Sequence, residues 1–496
     1  MNIGLPSIVA TSFFTGIFTF LLPEKRKINT KVYFLIFILI GFQFFNLSKD
    51  FFSLGSLVYR LSFFSSKELI LIVNQLSYPF LLLNFGLLFL CTLYLIKDDR
   101  KNKLMGLTFI LASILFCFFA AADLITFYVS FEAILIPMFF MMILYGAEKK
   151  EEASFKFFLY TFIGSIFLLF GLLWLAISSG MSVNSFTYPI ADLISKNLSI
   201  NEQLIITFCL IIGFLIKLPL FPFHSWLPHA HTQAPTVGSV FLAAIMLKVG
   251  GVGIYQIILP ILPVAFYLIA PYLGVLSVFS IIYIGILTLV QNDMKKLIAY
   301  SSIAHMGFVG LGYMTLICAI KENNINQIEL SFDGLYFQMI SHGLISAGLF
   351  FSVGMLYERI HSRDLSNYGG LAGLMPRLGL FFTFFALANA ALPGTSGFVG
   401  EFLILLSTYS EYSIYAIIGS LSLITGASYN LYLIKRIFYG PVRNKDGVNF
   451  VDLTIVESLI LGTLALGIIF LGVYPNFLTS FLPKDSVIAL HQAFIS

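Results

Sequence analysis

Five ionisable residues stand where almost everything around them is apolar. Glu132 lies in Phe-Glu-Ala-Ile-Leu-Ile-Pro, with no other charge from Leu124 to Gly146. Lys217 lies in Gly-Phe-Leu-Ile-Lys-Leu-Pro-Leu-Phe-Pro, and Lys248 in Ala-Ala-Ile-Met-Leu-Lys-Val-Gly. His305 closes the run Leu-Ile-Ala-Tyr-Ser-Ser-Ile-Ala-His, and Glu401 follows Pro-Gly-Thr-Ser-Gly-Phe-Val-Gly. A charge held at mid-membrane costs at least about 2.5–3.5 kcal/mol, so it faces a bundle interior or water and usually has a partner. Carboxylate, amine and imidazole are the side chains that take up and release protons. Lysine is a useful carrier, because desolvation lowers its pKa and a nearby carboxylate raises it. A Glu132 that approaches or leaves Lys217 would therefore change the lysine's proton affinity and couple proton release to movement. The expectation is that Glu132 modulates Lys217, that Lys248 and His305 relay, and that Glu401 is the terminal group. A static buried ion pair that fixes helix packing is the competing reading. It weighs most at Glu401, which stands between two apolar runs.

The breaks beside these residues matter as much as the charges. Pro219 and Pro222 follow Lys217, and Pro393, Gly394, Gly397 and Gly400 precede Glu401. Proline removes a backbone donor and clashes with the preceding turn. Non-helical backbone at membrane depth is tolerated only inside protein or beside a watery cavity. Each break therefore predicts a hydrated pocket, with an ordinary packing kink as the alternative. Other histidines are less telling. His224, His229 and His231 cluster without a carboxylate or thiolate, which fits loop or relay residues better than a metal site. His342 fits a relay and a core histidine equally. Asp123 sits at a helix boundary, where a solvated carboxylate is expected.

The elements that must position these residues are membrane helices. Of 496 residues, 59% are hydrophobic and 10% charged, with a mean hydropathy of +0.95. A soluble domain carries about 25% charged residues. A span of the bilayer core needs about 20 apolar residues. That window finds fourteen candidates, near 4–22, 31–47, 79–96, 104–122, 124–145, 155–178, 203–221, 237–258, 264–290, 300–319, 333–356, 374–400, 412–437 and 454–475. The continuous apolar runs exclude a β-barrel. The fold class is thus all-α transmembrane, with discontinuous seventh and twelfth helices.

Orientation follows from the 28 Lys and Arg. Twenty fall in odd-numbered loops, among them Lys295, Lys296, Arg359 and Arg363; six fall in even-numbered loops and the C-terminal tail. The remaining two, Lys217 and Lys248, are inside spans. The positive-inside rule places the odd loops on the cytoplasmic or matrix side. An internal repeat is also visible. Asp123–Glu132 aligns with Lys296–His305 at an offset of 173 residues, and Lys217-Leu-Pro-Leu with Ala391-Leu-Pro-Gly at 174. A repeat of five helices is odd, so equivalent helices run in opposite directions, as in secondary transporters. The expected organisation is three N-terminal helices in 1–100, a first five-helix repeat in 104–258, a second and inverted one in 264–437, and a last helix with its tail in 438–496.

Several classes of function lack their signature. There is no Walker A motif, and Gly369-Gly370-Leu-Ala-Gly373 follows no strand, so it is not a dinucleotide site. Cys91, Cys117, Cys209 and Cys318 sit in apolar runs without a CxxC pair, which suits no iron–sulfur cluster or zinc site. A net charge of +4, scattered along the chain, does not suggest nucleic acid. No energy source is visible, so a second ion gradient or a redox partner must drive any transport.

Four motifs carry a resemblance. Lys217-Leu-Pro-Leu-Phe-Pro-Phe-His-Ser-Trp-Leu-Pro-His-Ala-His, Gln233-Ala-Pro-Thr-Val-Gly-Ser, Asn292-Asp-Met-Lys-Lys-Leu-Ile-Ala-Tyr-Ser-Ser and Leu392-Pro-Gly-Thr-Ser-Gly-Phe-Val-Gly-Glu-Phe resemble the antiporter-like membrane-arm subunits of NADH:ubiquinone oxidoreductase, respiratory complex I. The resemblance runs from about residue 100 to 440. It implies two inverted five-helix repeats, a glutamate–lysine pair at Glu132 and Lys217, a central lysine at Lys248 with its histidine at His305, and a terminal group at Glu401. Glutamate at that last position is typical of subunit 4, where subunits 2 and 5 usually carry lysine. The family's Trp-Leu-Pro-Asp/Glu-Ala-His reads Trp226-Leu-Pro-His229-Ala-His231 here, so no acidic role carries over to position 229.

The resemblance implies a proton-translocating subunit of an NADH:ubiquinone reductase with no redox centre of its own. NADH, FMN, iron–sulfur clusters and ubiquinone belong to other subunits, and the expected partners are membrane-arm subunits, especially 2 and 5, with membrane lipid around them. An Mrp-type sodium/proton antiporter shares the fold and much of the motif set, and a scaffold whose buried charges have become static is a third reading. The absence of a presequence, the hydrophobicity and the 55 phenylalanines suit a mitochondrially encoded chain of the inner membrane, with a bacterial inner membrane as the alternative.

Overall fold

The computed structural model describes residues 4–23, 30–63, 67–96, 102–180, 189–193, 195, 198–442 and 450–482. Of the cations in the loop count, Lys25, Arg26, Lys27, Lys97, Arg100, Lys101, Lys196, Arg443, Lys445 and Lys484 lie outside them. Among the described residues, twelve helices, from Lys31–Leu54 to Ile455–Val473, are long and apolar enough to cross a membrane. Leu5–Leu21 is apolar but shorter, and the twelfth window is split into Pro376–Asn389 and Ser396–Glu411. All fourteen windows are thus helical, and the chain has the fold class expected of it. Ser77–Leu95, Asn102–Ala120 and Pro263–Leu289 are apolar on every side, as membrane spans are. Exposed Phe14, Phe18, Leu35 and Ile38 mark faces that lipid, not water, must cover.

The chain forms two compact units, Met1–Phe214 with Val252–Leu262, and Leu215–Gly251 with Pro263–Ser496. In the first, Leu5–Leu21 crosses Asn102–Ala120 with almost nothing between the backbones. A Cβ on Gly16 would meet the Gly106 carbonyl at 2.8 Å, and one on Gly106 the Gly16 carbonyl at 2.7 Å. Small residues allow such close crossings, which supply van der Waals packing where lipid supplies no hydrophobic drive.

The first unit also contains an antiparallel hairpin, Leu57–Phe63 with Lys67–Val73, in which Leu57 pairs with Val73 and Leu61 with Leu69. Helical windows do not detect it, because Leu-Val-Tyr-Arg-Leu and Leu-Ile-Leu-Ile-Val are too short to span and rich in strand-forming residues. Asp123 fastens this hairpin. It is fully buried, not solvated, and caps the Leu124–Ala133 helix. Its carboxylate accepts from the Thr126 amide at 2.8 Å, the Thr126 hydroxyl at 2.7 Å and the Ile70 amide at 2.8 Å. Three donors replace the water that the boundary position suggested.

In the second unit three loops meet on one face. Met294 N–H donates to Arg363 O at 3.0 Å, Leu365 N–H to Asn292 O at 2.8 Å and Gly370 N–H to Tyr439 O at 3.2 Å. Arg359, Arg363, Arg377, Lys296, Lys435 and Arg436 lie on or beside these loops, so this is the basic face. Here Arg359 grips Glu457 at 2.9 and 3.3 Å, both side chains largely buried, and so holds the Ile455–Val473 helix to Ile325–Ile360. The opposite face carries the Glu322–Asn324 turn and Tyr412, whose hydroxyl lies 3.8 Å from Cys318 Sγ. Every residue in the most apolar window of Met294–Glu322 is buried, as is 94% of that in Ile325–Ile360, against 33% in Lys31–Leu54. The helices that carry His305 and His342 are therefore the sheltered ones.

Replacing Asp123 with Ala removes a charged acceptor from three donors, at about 1.5–3 kcal/mol for each bond not remade with water. Limited proteolysis of the intact assembly is expected to cleave residues 57–73 faster in Asp123→Ala than in wild type, with the other spans protected. An unchanged cleavage rate would show that Asp123 does not hold the hairpin.

Candidate functional site: a buried chain of ionisable side chains

Lys248 sits in the Thr236–Ile261 span just after a turn of π-helix, Leu242–Met246. Such wide turns are frequent at functional sites, because they loosen the backbone ladder. Ala243 lies in this one, and its carbonyl accepts from Lys248 Nζ at 2.6 Å. The same Nζ is 2.7 Å from His342 Nδ1, on the Ile325–Ile360 helix. A lysine ammonium has only donors, so His342 Nδ1 is then the acceptor and the imidazole carries its proton on Nε2. That Nε2 is buried with no hydrogen-bond partner among the described residues.

His305, on Met294–Glu322, lies beside His342 with ring centroids 5.6 Å apart and planes tilted by 51°. Its Nδ1 is 2.7 Å from Glu401 Oε1, the geometry of a charge-assisted bond. Its Nε2, like that of His342, is buried without a partner among the described residues. Gln338 Nε2 also donates to Glu401 Oε1, at 3.5 Å. This approach depends on Gly400: a Cβ there would come within 2.5 Å of Gln338 Oε1 and 2.8 Å of its Cα. The chain therefore reads Ala243 carbonyl, Lys248, His342, His305, Glu401, Gln338. Lys248 is fully buried, and His342, Glu401 and His305 are 3–7% exposed, so none of them meets lipid.

The broken twelfth span places Glu401. Pro376–Asn389 stops, Ala391 and Gly394 take positive φ of 56° and 89°, and the helix resumes at Ser396. Ser341 Oγ donates to Ser396 Oγ at 2.8 Å and ties the restart to Ile325–Ile360. The seventh span breaks after Lys217, which is 3% exposed at the end of Ile200–Lys217. There the Trp226 indole donates to Ile216 O at 3.0 Å, satisfying a carbonyl that the helix end leaves open. Glu132 lies in the first unit, in the last turn of Leu124–Ala133, and its Oε1 is buried without a partner among the described residues.

The three clustered histidines part company. His229 is exposed, His224 is half-buried and stacked on Phe221, and His231 is fully buried face to face with Phe350 at 4.5 Å. Lys295, counted in sequence as a loop cation, is 5% exposed and donates to Ala234 O at 2.7 Å. Arg363 donates to Thr232 O and lies 3.7 Å from Asp293. Both cations thus bind carbonyls at the C-terminal end of the Trp226–Gln233 helix, where the backbone dipole is negative. Loop counting treats such cations as solvated, since it does not see which carbonyls a break has freed.

Residues 121–425, more than half of the chain, match the family described as NADH:quinone oxidoreductase/Mrp antiporter, TM. The chain belongs to that family. Within it, the chain is 43% identical over 358 residues to NADH-quinone oxidoreductase subunit M of Rickettsia bellii (strain RML369-C), covering 72% of this chain and 69% of that one. It is 39% identical over 408 residues to NADH-ubiquinone oxidoreductase chain 4 of Marchantia polymorpha, covering 82% and 79%. A chain of respiratory complex I from Thermus thermophilus with bound NADH superposes with a TM-score of 0.85 at 27% identity, over 99% of each chain. These relatives place it with the antiporter-like membrane subunits of complex I.

A methyl group at position 400 must push the Gln338 helix away, an overpacking cost of about 1–3 kcal/mol. Gly400→Ala is expected to lower the thermal midpoint of the solubilised assembly, and Gly400→Ala with Gln338→Ala to recover part of the loss. A Gly400→Ala midpoint equal to wild type would contradict the close approach.

Proposed function

We propose that this chain moves protons across the membrane as a membrane-arm subunit of NADH:quinone oxidoreductase, driven by electron transfer in other subunits. The observation that supports it is the buried run of contacts from Lys248 through His342 and His305 to Glu401. Every member can both take up and release a proton. In the forward step the Lys248 ammonium gives a proton to His342 Nδ1, and His342 gives up the one on Nε2. His305 accepts on Nε2 and gives its Nδ1 proton to Glu401. One proton has then moved from Lys248 to Glu401, and both imidazoles have changed tautomer. They must turn or be reset before the next.

In this reading Glu132 and Lys217 are the control pair. A carboxylate nearer to or farther from Lys217 changes the field along the run, and charge displaced there biases the next group. The two breaks, after Lys217 and after Asn389, support two inverted five-helix repeats in 104–258 and 264–437, each with its own interrupted helix. The redox groups, namely NADH, FMN, iron–sulfur clusters and ubiquinone, reside in other subunits. The neighbours in this reading are the antiporter-like subunits 2 and 5, and the membrane is the mitochondrial inner membrane or its bacterial counterpart.

The test uses the whole assembly in sealed vesicles. Lys248→Ala, Glu401→Gln, and the pair Glu132→Gln with Lys217→Ala are each expected to lower NADH-driven proton uptake at least about tenfold, the effect of a barrier raised by about 1.4 kcal/mol. Uptake that survives these changes in a fully assembled complex would rule the proposal out. Migration of the native chain in a small membrane assembly without NADH–quinone activity would favour a sodium/proton antiporter instead.

A further inference from the structure

Glu401 has two dissimilar surroundings. Beside it is a cavity of about 10 Å³, lined by His305, Asn389, Ser422, Thr425 and Tyr429 as well as Glu401 itself. That is close to the least space that holds one water, and a buried water needs two to four polar partners. Partners are at hand: Ser422 Oγ and His305 Nε2 are buried without any among the described residues.

Toward the basic face the chemistry changes. Asn389 Nδ2 donates to Asn430 Oδ1 at 3.2 Å and to Ser301 Oγ at 3.4 Å, and Asn430 Nδ2 donates to Gly426 O at 2.9 Å. All three side chains are at least 95% buried. Ser301 is four residues nearer than His305 to the basic-face end of its helix, about 6 Å along the axis. Asn430 is eight residues nearer than Ser422 to the basic-face end of Ser422–Phe438, about 12 Å. The amide cluster therefore stands between Glu401 and the basic face, and Ser422 on the far side of it.

Hydroxyls, imidazoles and water both accept and donate, and so pass a proton on. A carboxamide has fixed donors and fixed acceptors. It satisfies its neighbours without carrying a proton between them. We propose that the two carboxamides, Asn389 and Asn430, form a plug that proton transfer does not cross, with Ser301 only anchoring Asn389, so that a proton on Glu401 leaves by the water-sized cavity and not back toward the basic loops. This rests on the reading that Glu401 carries a proton during turnover. Asn389 and Asn430 are then positioning residues that give the carrier its direction.

The experiment puts a titratable group in the plug. Asn389→Asp and Asn430→Asp assemblies in sealed vesicles are given an imposed pH gradient with NADH absent. The gradient is expected to collapse at least about tenfold faster than in wild type, and NADH oxidation to run with little net proton uptake. Asn389→Leu, which loses the amide contacts without gaining a carrier, stays tight. Adding Glu401→Gln to either Asp variant stops the leak. Asp variants as tight as wild type, or a leak that survives Glu401→Gln, would overturn the plug. Should Asn389→Asp fail to assemble, Asn430→Asp on the other helix decides by the same criterion. Normal pumping in Glu401→Gln alone would instead remove the underlying reading. Reduced pumping there with tight Asp variants would remove only the plug.

Discussion

Lipid offers a charge nothing to bind, and most of the second unit follows from that constraint. Every ionisable side chain held at depth must find its solvent in protein, in another side chain or in a freed carbonyl. Lys248 finds the Ala243 carbonyl and an imidazole; Glu401 finds an imidazole and an amide. Lys248 is bonded to His342 and Glu401 to His305, and the two imidazoles lie side by side, so the charges line up and do not scatter. A packing requirement thus yields a row of proton-binding groups.

The backbone irregularities serve the same end. The wide turn at Leu242–Met246 puts a carbonyl within reach of Lys248, and the interruption at Ala390–Thr395 lets the Ser396 helix start anew against Ile325–Ile360. Gly400 removes the side chain that would keep Gln338 from Glu401. Breaks carry an energetic penalty, since they leave carbonyls open. Lys295, Arg363 and the Trp226 indole close those they can reach. Lys295 and Arg363 on the basic face therefore staple the end of the Trp226–Gln233 helix that follows the break.

Much of this was legible in the chain. Long apolar windows gave the spans because the bilayer sets their length, and an isolated charge in such a window was a signal by itself. Glu132, Lys217 and Lys248 were noticed that way, Glu401 between two apolar runs after its glycine-rich break, and His305 by falling opposite Glu132 in the internal repeat. His342 was harder, since a lone histidine in an apolar helix suits a core as well as a relay. Its 2.7 Å contact with Lys248 joins residues 94 apart in sequence, which no local pattern shows. The hairpin at 57–73 fell below any window tuned to helices. Asp123 looked solvated because its third donor, the Ile70 amide, is 53 residues distant. What was missed in each case is a long-range partner, which local pattern does not encode.

The central claim is that the buried row changes its protonation during turnover. Redox-triggered infrared difference spectroscopy on the assembly in membranes reads this directly, in the stretching region of protonated carboxyl groups. A band that appears when NADH is added, and disappears in Glu401→Gln while electron transfer continues, is the predicted result. A difference spectrum with no carboxyl band sensitive to Glu401 would mean that the pair with His305 is a static bridge, and that protons, if they cross this assembly, cross it elsewhere.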